Sequence, residues 1–140
     1  MISEIQTRGV FDIIKKSALI SGRKQSDITV IAVTKAFPVS LMNSAYEAGF
    51  SVLGESRVQE TEKKLPKFKY LEQSELHLIG HLQSNKVKKA VEIYDVIQSV
   101  DSIKIAGKIN RIAAFAGKNQ KVFLQVNTGN DPAKYGFFKR

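Results

Sequence analysis

The sequence predicts an α/β fold, a partial (β/α) barrel of the TIM type in which about five parallel strands alternate with helices. Three observations carry that expectation. Five apolar runs of strand length alternate with stretches of helical periodicity, and strands joined by helical crossovers run parallel. No Gly-x-Gly-x-x-Gly follows the first strand and no P-loop is present, so the usual signature of the competing architecture, a doubly wound sheet, is missing. Polar residues gather at strand C-terminal ends: Lys35, Glu55 and Ser56, His81, Ser99 and Asp101, and Asn127. In a barrel those ends form the active face. A barrel closes with about eight strands, whereas these 140 residues supply five candidates. The chain is therefore expected to be the first part of a longer barrel, or a subunit that must associate.

The elements follow in order. Ser3 and Gln6 make a capping box, and Val10, Ile13, Ile14 and Ala18 keep helical spacing until Ser21-Gly22. Residues 28–34 are β-branched and nearly all apolar, which suits a strand buried on both faces. Pro38 opens a helix over 39–48 that Gly49 ends. Residues 50–54 are a short second strand, and Ser56 with Gln59 gives a capping box for a helix running towards Pro66. Residues 76–80 form the third strand, 84–94 a helix with Val87, Ala90, Val91 and Tyr94 on one stripe, and 96–100 the fourth strand. Asp101 or Ser102 caps a helix carrying Ala106, Ile109, Ala113 and Ala116, which Gly117 closes. Residues 121–127 are the fifth strand, running into a loop at 128–132.

Composition excludes several classes. There is no cysteine, hence no disulfide framework, thiolate metal site or cysteine nucleophile. Two histidines, His77 and His81, argue against a histidine-rich metal site. No apolar run approaches the roughly 18 residues that span a membrane, and the N-terminus lacks the layout of a secretory signal. A cytoplasmic protein with no membrane partner is the expectation. The net charge of +9, from 22 Lys and Arg against 13 Asp and Glu, invites a nucleic-acid reading. The lysines lie in scattered short groups with no aromatic residues interleaved as a stacking platform would need, so a solvated basic surface is preferred to a nucleic-acid interface.

Lys35 ends the first apolar strand. Burial disfavours the charged form of lysine, so a lysine there is costly unless it has a task. Period-two alternation places Ile31, Val33 and Lys35 on one side and Val30, Ala32 and Thr34 on the other. If the first set faces the barrel axis, Lys35 projects into the mouth.

Several ordered blocks share one resemblance: Ala32-Val33-Thr34-Lys35 with Phe37-Pro38; Gly54-Glu55-Ser56-Arg57-Val58-Gln59-Glu60; His77-Leu78-Ile79-Gly80-His81-Leu82-Gln83-Ser84-Asn85-Lys86; Ser99-Val100-Asp101-Ser102; and Gln125-Val126-Asn127. The chain resembles the pyridoxal phosphate homeostasis proteins, which are similar to the N-terminal barrel domain of alanine racemase. The resemblance covers residues 1–140 here and about the first three-fifths of a family member. It implies the N-terminal part of a barrel domain that binds pyridoxal 5′-phosphate as an aldimine on Lys35; Ser56, standing where the family has an asparagine near the cofactor, and His81, by its place at a strand end, are further candidate cofactor contacts. It also implies a carrier and regulator of the cofactor rather than an enzyme. Schiff-base formation needs a neutral amine, whereas a free lysine near pKa 10.4 is almost wholly charged at pH 7. Desolvation in an apolar mouth would lower that value.

The sequence departs from the family at three places. The family's Gly-Glu-Asn-Tyr is here Gly54-Glu55-Ser56-Arg57, and the capping box predicts that Ser56 serves the helix. A second lysine two residues after the aldimine lysine is replaced by Phe37. The strands that supply the family's phosphate cup and the arginine facing the pyridine nitrogen have no counterpart before Arg140. The alternative is thus a truncated homologue that does not bind the cofactor, and self-association through an open barrel edge is a further expectation. His77 reads as a packed core histidine, while His81 is a candidate for the mouth. Gln83, Ser84 and Asn85 read as caps of the next helix, with Lys86 on its first turn, and Lys134 and Gly136 match the family after the fifth strand.

Overall fold

The computed structural model describes residues 4–138, with side chains from Thr7 onward, so the capping box read at Ser3 and Gln6 lies outside the described side chains. Helix α1 (Glu4–Ile20) leads into a sheet of β1 (Ile31–Val33), β2 (Val52–Glu55), β3 (Glu75–Leu78), β4 (Val96–Val100) and β5 (Lys121–Leu124). Between the strands lie α2 (Val39–Glu47), α3 (Val58–Lys64), α4 (Val87–Ile93) and α5 (Ile103–Phe115). Two short strands, β6 (Val126–Asn127) and β7 (Phe137–Phe138), pair separately. The sheet order is β1-β2-β3-β4-β5 and every pairing is parallel. Each strand is laid beside its predecessor, with no point where the order reverses. A doubly wound sheet needs that reversal and a barrel does not. The chain is a barrel segment.

The helices pack on one face. Alternation turns Leu53, Leu76, Leu78 and Ile97 towards Met42 and Ala45 of α2, Val58 of α3, Val87 and Val91 of α4, and Ile105 and Ile109 of α5. Each fully buried aliphatic side chain there contributes about 1.5–3 kcal/mol. The other face is the inner one. A Cβ on Gly54 would meet Ile31 Cγ2 at 3.0 Å and Ile79 Cδ1 at 3.3 Å, so these three residues form one layer of it. His77, in register with Gly54, is buried on the same face as expected for a packed histidine. Its Nε2 donates to Glu75 Oε1 at 3.0 Å and its Nδ1 accepts from Gln98 Nε2 at 2.7 Å.

Four expectations need correction. The first strand is not buried on both faces: Val33 is 48% exposed, and all four residues of β5 are exposed. Both are edge strands, each with a sheet neighbour on one side among the described residues. Ser56 does not cap α3, whose N-cap position is taken by Arg57 without a side-chain bond. The close approach of Gly80 explains this, because a Cβ on Gly80 would lie 2.3 Å from Ser56 O. Ser56 is therefore packed as the end of β2 rather than freed for a helix start. Residues 84–86 form a 3-10 turn, Ser84–Lys86, before α4, and Gln83 at its N-cap makes no side-chain bond. The fifth strand breaks at Gln125, whose N–H donates to Val100 O at 2.8 Å while its carbonyl accepts from Phe137 N–H at 2.8 Å. There the chain changes partner from β4 to β7. Ser102 does cap α5, accepting from Ile105 N–H at 3.4 Å.

Candidate functional site at the barrel mouth

β1 delivers Lys35 to the C-terminal end of the sheet. Thr34 N–H donates to Gly54 O at 3.0 Å, extending the β1–β2 pairing by one residue. Alternation then turns Thr34 inward to the helix side, 2% exposed, and Lys35 to the opposite side, where it is exposed. Lys35 makes no hydrogen bond or ion pair with the described residues. Among the described residues no enclosing apolar mouth desolvates it, because β1 is an edge strand.

Ser56 and His81 come together. Both line a cavity of about 290 Å³ with Arg57, Gln59, Gln83 and Lys86. No carboxylate lines it, and Lys35 stands on the neighbouring strand end rather than in its wall. The Ser56 hydroxyl has no partner among the described residues. His81 Nδ1 pairs with Asp101 Oδ2 at 3.0 Å, an arrangement that leaves Nε2 without a partner among the described residues. Its ring lies flat on Tyr135, centroids 3.6 Å apart and planes 11° from parallel. Nothing in the sequence signals Tyr135, because the contact closes across 54 residues of chain from a loop. Asp101 is legible only as a strand-end acid.

The strand-end pattern grouped Glu55 and Asn127 with the mouth, and both belong elsewhere. Glu55 is fully buried on the helix side, as its spacing of two from Leu53 requires. There it accepts from Thr34 Oγ1 at 2.7 Å and from Lys64 Nζ at 2.9 and 3.0 Å. Lys64, itself 8% exposed, also donates to Thr34 O at 3.3 Å and pairs with Glu60 at 2.9 Å. Glu60 Oε1 accepts from Ala36 N–H at 3.0 Å, and the Lys64 hydrogen bond is the first cause that holds its carboxyl below the usual range. Asn127 ties down the following loop, donating to Asp131 O at 2.7 Å and Lys134 O at 3.2 Å. Ser99 is buried with its Oγ unpaired. Lys134 pairs with Asp131 at 3.5 Å and is exposed, while Gly136 (φ +130°) packs against the Asn127 backbone.

Among the described residues there is no cluster of three or more metal-ligating side chains, and no helix is long and apolar enough to cross a membrane.

Residues 17–139 match the family model of the alanine racemase N-terminal domain. A protein of Haemophilus influenzae named pyridoxal phosphate homeostasis protein is 36% identical over 118 residues, covering 81% of this chain and 48% of its own. The structure of PipY from Synechococcus elongatus without PLP matches with a TM-score of 0.76 and 39% identity over 91% of this chain and 59% of that one. The same protein with PLP bound matches at 0.73 and 36%, over 89% and 57%. A histidine racemase from Leuconostoc mesenteroides, at 17% identity and a TM-score of 0.65 over 97% of this chain and 34% of its own, shows the shared fold alone. The chain spans about half the length of the curated relatives it matches. It belongs to the family of the alanine racemase N-terminal domain, and within it is similar to the pyridoxal phosphate homeostasis proteins.

Proposed function

We propose that this chain binds pyridoxal 5′-phosphate and holds it as a Schiff base on Lys35, as a carrier of the cofactor without turnover. The observation that carries the reading is the placement of Lys35, an unpaired amine at the C-terminal end of the first strand, between two neighbours with fixed backbones. The cofactor supplies an aldehyde, with which a neutral lysine amine condenses and releases water. The residues present fit that group in part. Ser56 and the free Nε2 of His81 offer polar contacts beside Lys35, and Arg57 and Lys86 make the adjoining cavity cationic. The names of similar proteins support the cofactor: pyridoxal phosphate homeostasis proteins and a PLP-bound PipY. Those names likewise favour a non-catalytic role.

Borohydride trapping tests the reading. Incubation with pyridoxal 5′-phosphate is expected to give a visible absorption band that Lys35→Ala removes, with the reduced label on the Lys35 peptide. Label spread evenly over surface lysines would refute it and favour the second reading, a homologue that does not retain the cofactor. The exposure of Lys35 is what favours that second reading. The reading also includes self-association through the open edge, where Val33, Phe123 and Leu124 are exposed. A nucleic-acid role would instead require affinity that falls steeply with salt.

A further inference from the structure

Two observations about the step from Thr34 to Ala36 point beyond the amine itself. Ala36 has φ +63°, in the left-handed region that non-glycine residues occupy only when the surroundings impose it. Its N–H is not left to water but donates to Glu60 Oε1 at 3.0 Å. On the other side of Lys35, the carbonyl of Thr34 accepts from Lys64 Nζ at 3.3 Å and its hydroxyl donates to Glu55 at 2.7 Å. Lys64 pairs with Glu60 at 2.9 Å, so a single buried ammonium holds both neighbours of Lys35.

We infer that Glu60 is a positioning residue for Lys35: its carboxylate, anchored by Lys64, holds the Ala36 N–H and thereby sets the direction in which the Lys35 amine leaves the strand. This rests on the reading that Lys35 is the cofactor's attachment point. Without Glu60 the Ala36 N–H turns to solvent and the backbone relaxes towards an ordinary conformation. The Cα–Cβ vector of Lys35 swings with it. Glu60 also lies in the first turn of α3 and four residues before Lys64, where a carboxylate stabilises the helix in any case. The test must therefore separate charge from reach. Gln keeps the accepting oxygen at the same length and loses the charge, whereas Asp keeps the charge and is too short to reach Ala36.

The experiment is borohydride trapping of pyridoxal 5′-phosphate on the full chain, with label at Lys35 measured by peptide mass against the other lysines and thermal unfolding followed in parallel. Glu60→Ala is expected to lower labelling of Lys35 on the order of tenfold, as a small misplacement of a reacting group does. Its melting should fall only slightly, by that helix-stabilising share, since Glu60 is partly exposed and Lys64 keeps Glu55. Glu60→Gln should restore most of the labelling and Glu60→Asp should not. Glu62→Ala, on the same helix but paired outward with Lys89, should change nothing. Equal labelling in wild type and Glu60→Ala overturns this inference alone. If Glu60→Ala unfolds, the Gln and Asp variants decide, and Asp labelling as well as or better than Gln overturns it. Wild type without preference for Lys35 overturns the parent reading and this inference together.

Discussion

Side chains of similar type differ widely here in what their removal should do, and burial decides. Lys64 is 8% exposed and its partner Glu55 is fully buried, so truncating the lysine strands a carboxylate in the core. Lys64→Ala is expected to destabilise by about 3–5 kcal/mol, the cost of an uncompensated buried charge, measured as a shift of the urea midpoint at constant slope. Lys89 also pairs with two carboxylates, Glu62 and Glu92, but in solvent, and Lys89→Ala should leave the midpoint nearly unchanged. Tyr94 gives a pH-dependent counterpart. Burial pushes its hydroxyl up to about 12, against a partial lowering by the hydrogen bond with Thr61. The Tyr94 and Thr61 oxygens are 2.6 Å apart, and Thr61 also donates to Arg57 O at 3.0 Å. The folded value lies above the ordinary 10, so the stabilisation is complete below pH 10 and is lost as pH rises towards 12. At neutral pH Tyr94→Phe should cost about 1 kcal/mol, because Thr61 keeps its other bond. Across the alkaline window wild type should lose roughly 2–3 kcal/mol relative to Tyr94→Phe. Parallel pH curves for the two proteins would contradict this.

At the scale of elements, what the sequence makes legible is what local periodicity determines. Strand β4 has the predicted bounds, and α2 runs from the residue after Pro38 to two residues before Gly49, which takes φ +98°. The reversal-free strand order agrees with the missing glycine fingerprint. The site was legible only in part. Lys35 sits where alternation puts it, but Glu55 obeys alternation from Leu53 and so leaves the mouth, while the strand-end pattern alone grouped it with Ser56. The Ser56 cap failed because a contact distant in sequence, Gly80 on Ser56, outweighed a local capping motif. That contact yields a prediction. A methyl at residue 80 would lie 2.3 Å from Ser56 O and 2.8 Å from its Cα, both backbone atoms that cannot step aside as a side chain would. Gly80→Ala should therefore part the C-terminal ends of β2 and β3, destabilise by about 1–3 kcal/mol, and disturb the cavity shared by Ser56 and His81. Gly54→Ala meets only the side chains of Ile31 and Ile79, at 3.0 and 3.3 Å, and should cost less. The reverse ranking in a denaturant series would show that the strand ends are more pliant than their packing indicates.

For the whole molecule, the unequal treatment of the sheet's two faces sets behaviour in solution. The helix side of β2, β3 and β4 is closed by a continuous core, whereas Val33 and Phe123 on the inner face, Leu124 on the helix side of the β5 edge, and Val126 and Phe138 beyond it are about half exposed or more. Among the described residues β1 and β5 each have a neighbour on one side only, so their free N–H and C=O groups are available to another strand. The 140-residue chain by itself is expected to self-associate there, and ionic strength gives the direction of the effect. With a net charge of +9, copies repel one another at low salt, and screening over a Debye length that shrinks to about 8 Å at physiological ionic strength removes that opposition. Apolar association is not weakened by salt, so the weight-average mass in sedimentation should rise with protein concentration and rise further as salt is added. Phe123→Lys with Leu124→Lys should lower it by adding charge to β5, a strand outside the buried core, with little effect on folding. A chain that stays monomeric at every concentration and salt would show that the exposed face is tolerated alone. Association that weakens with salt would instead point to charge pairing, and the basic surface rather than the open sheet would be the surface to map.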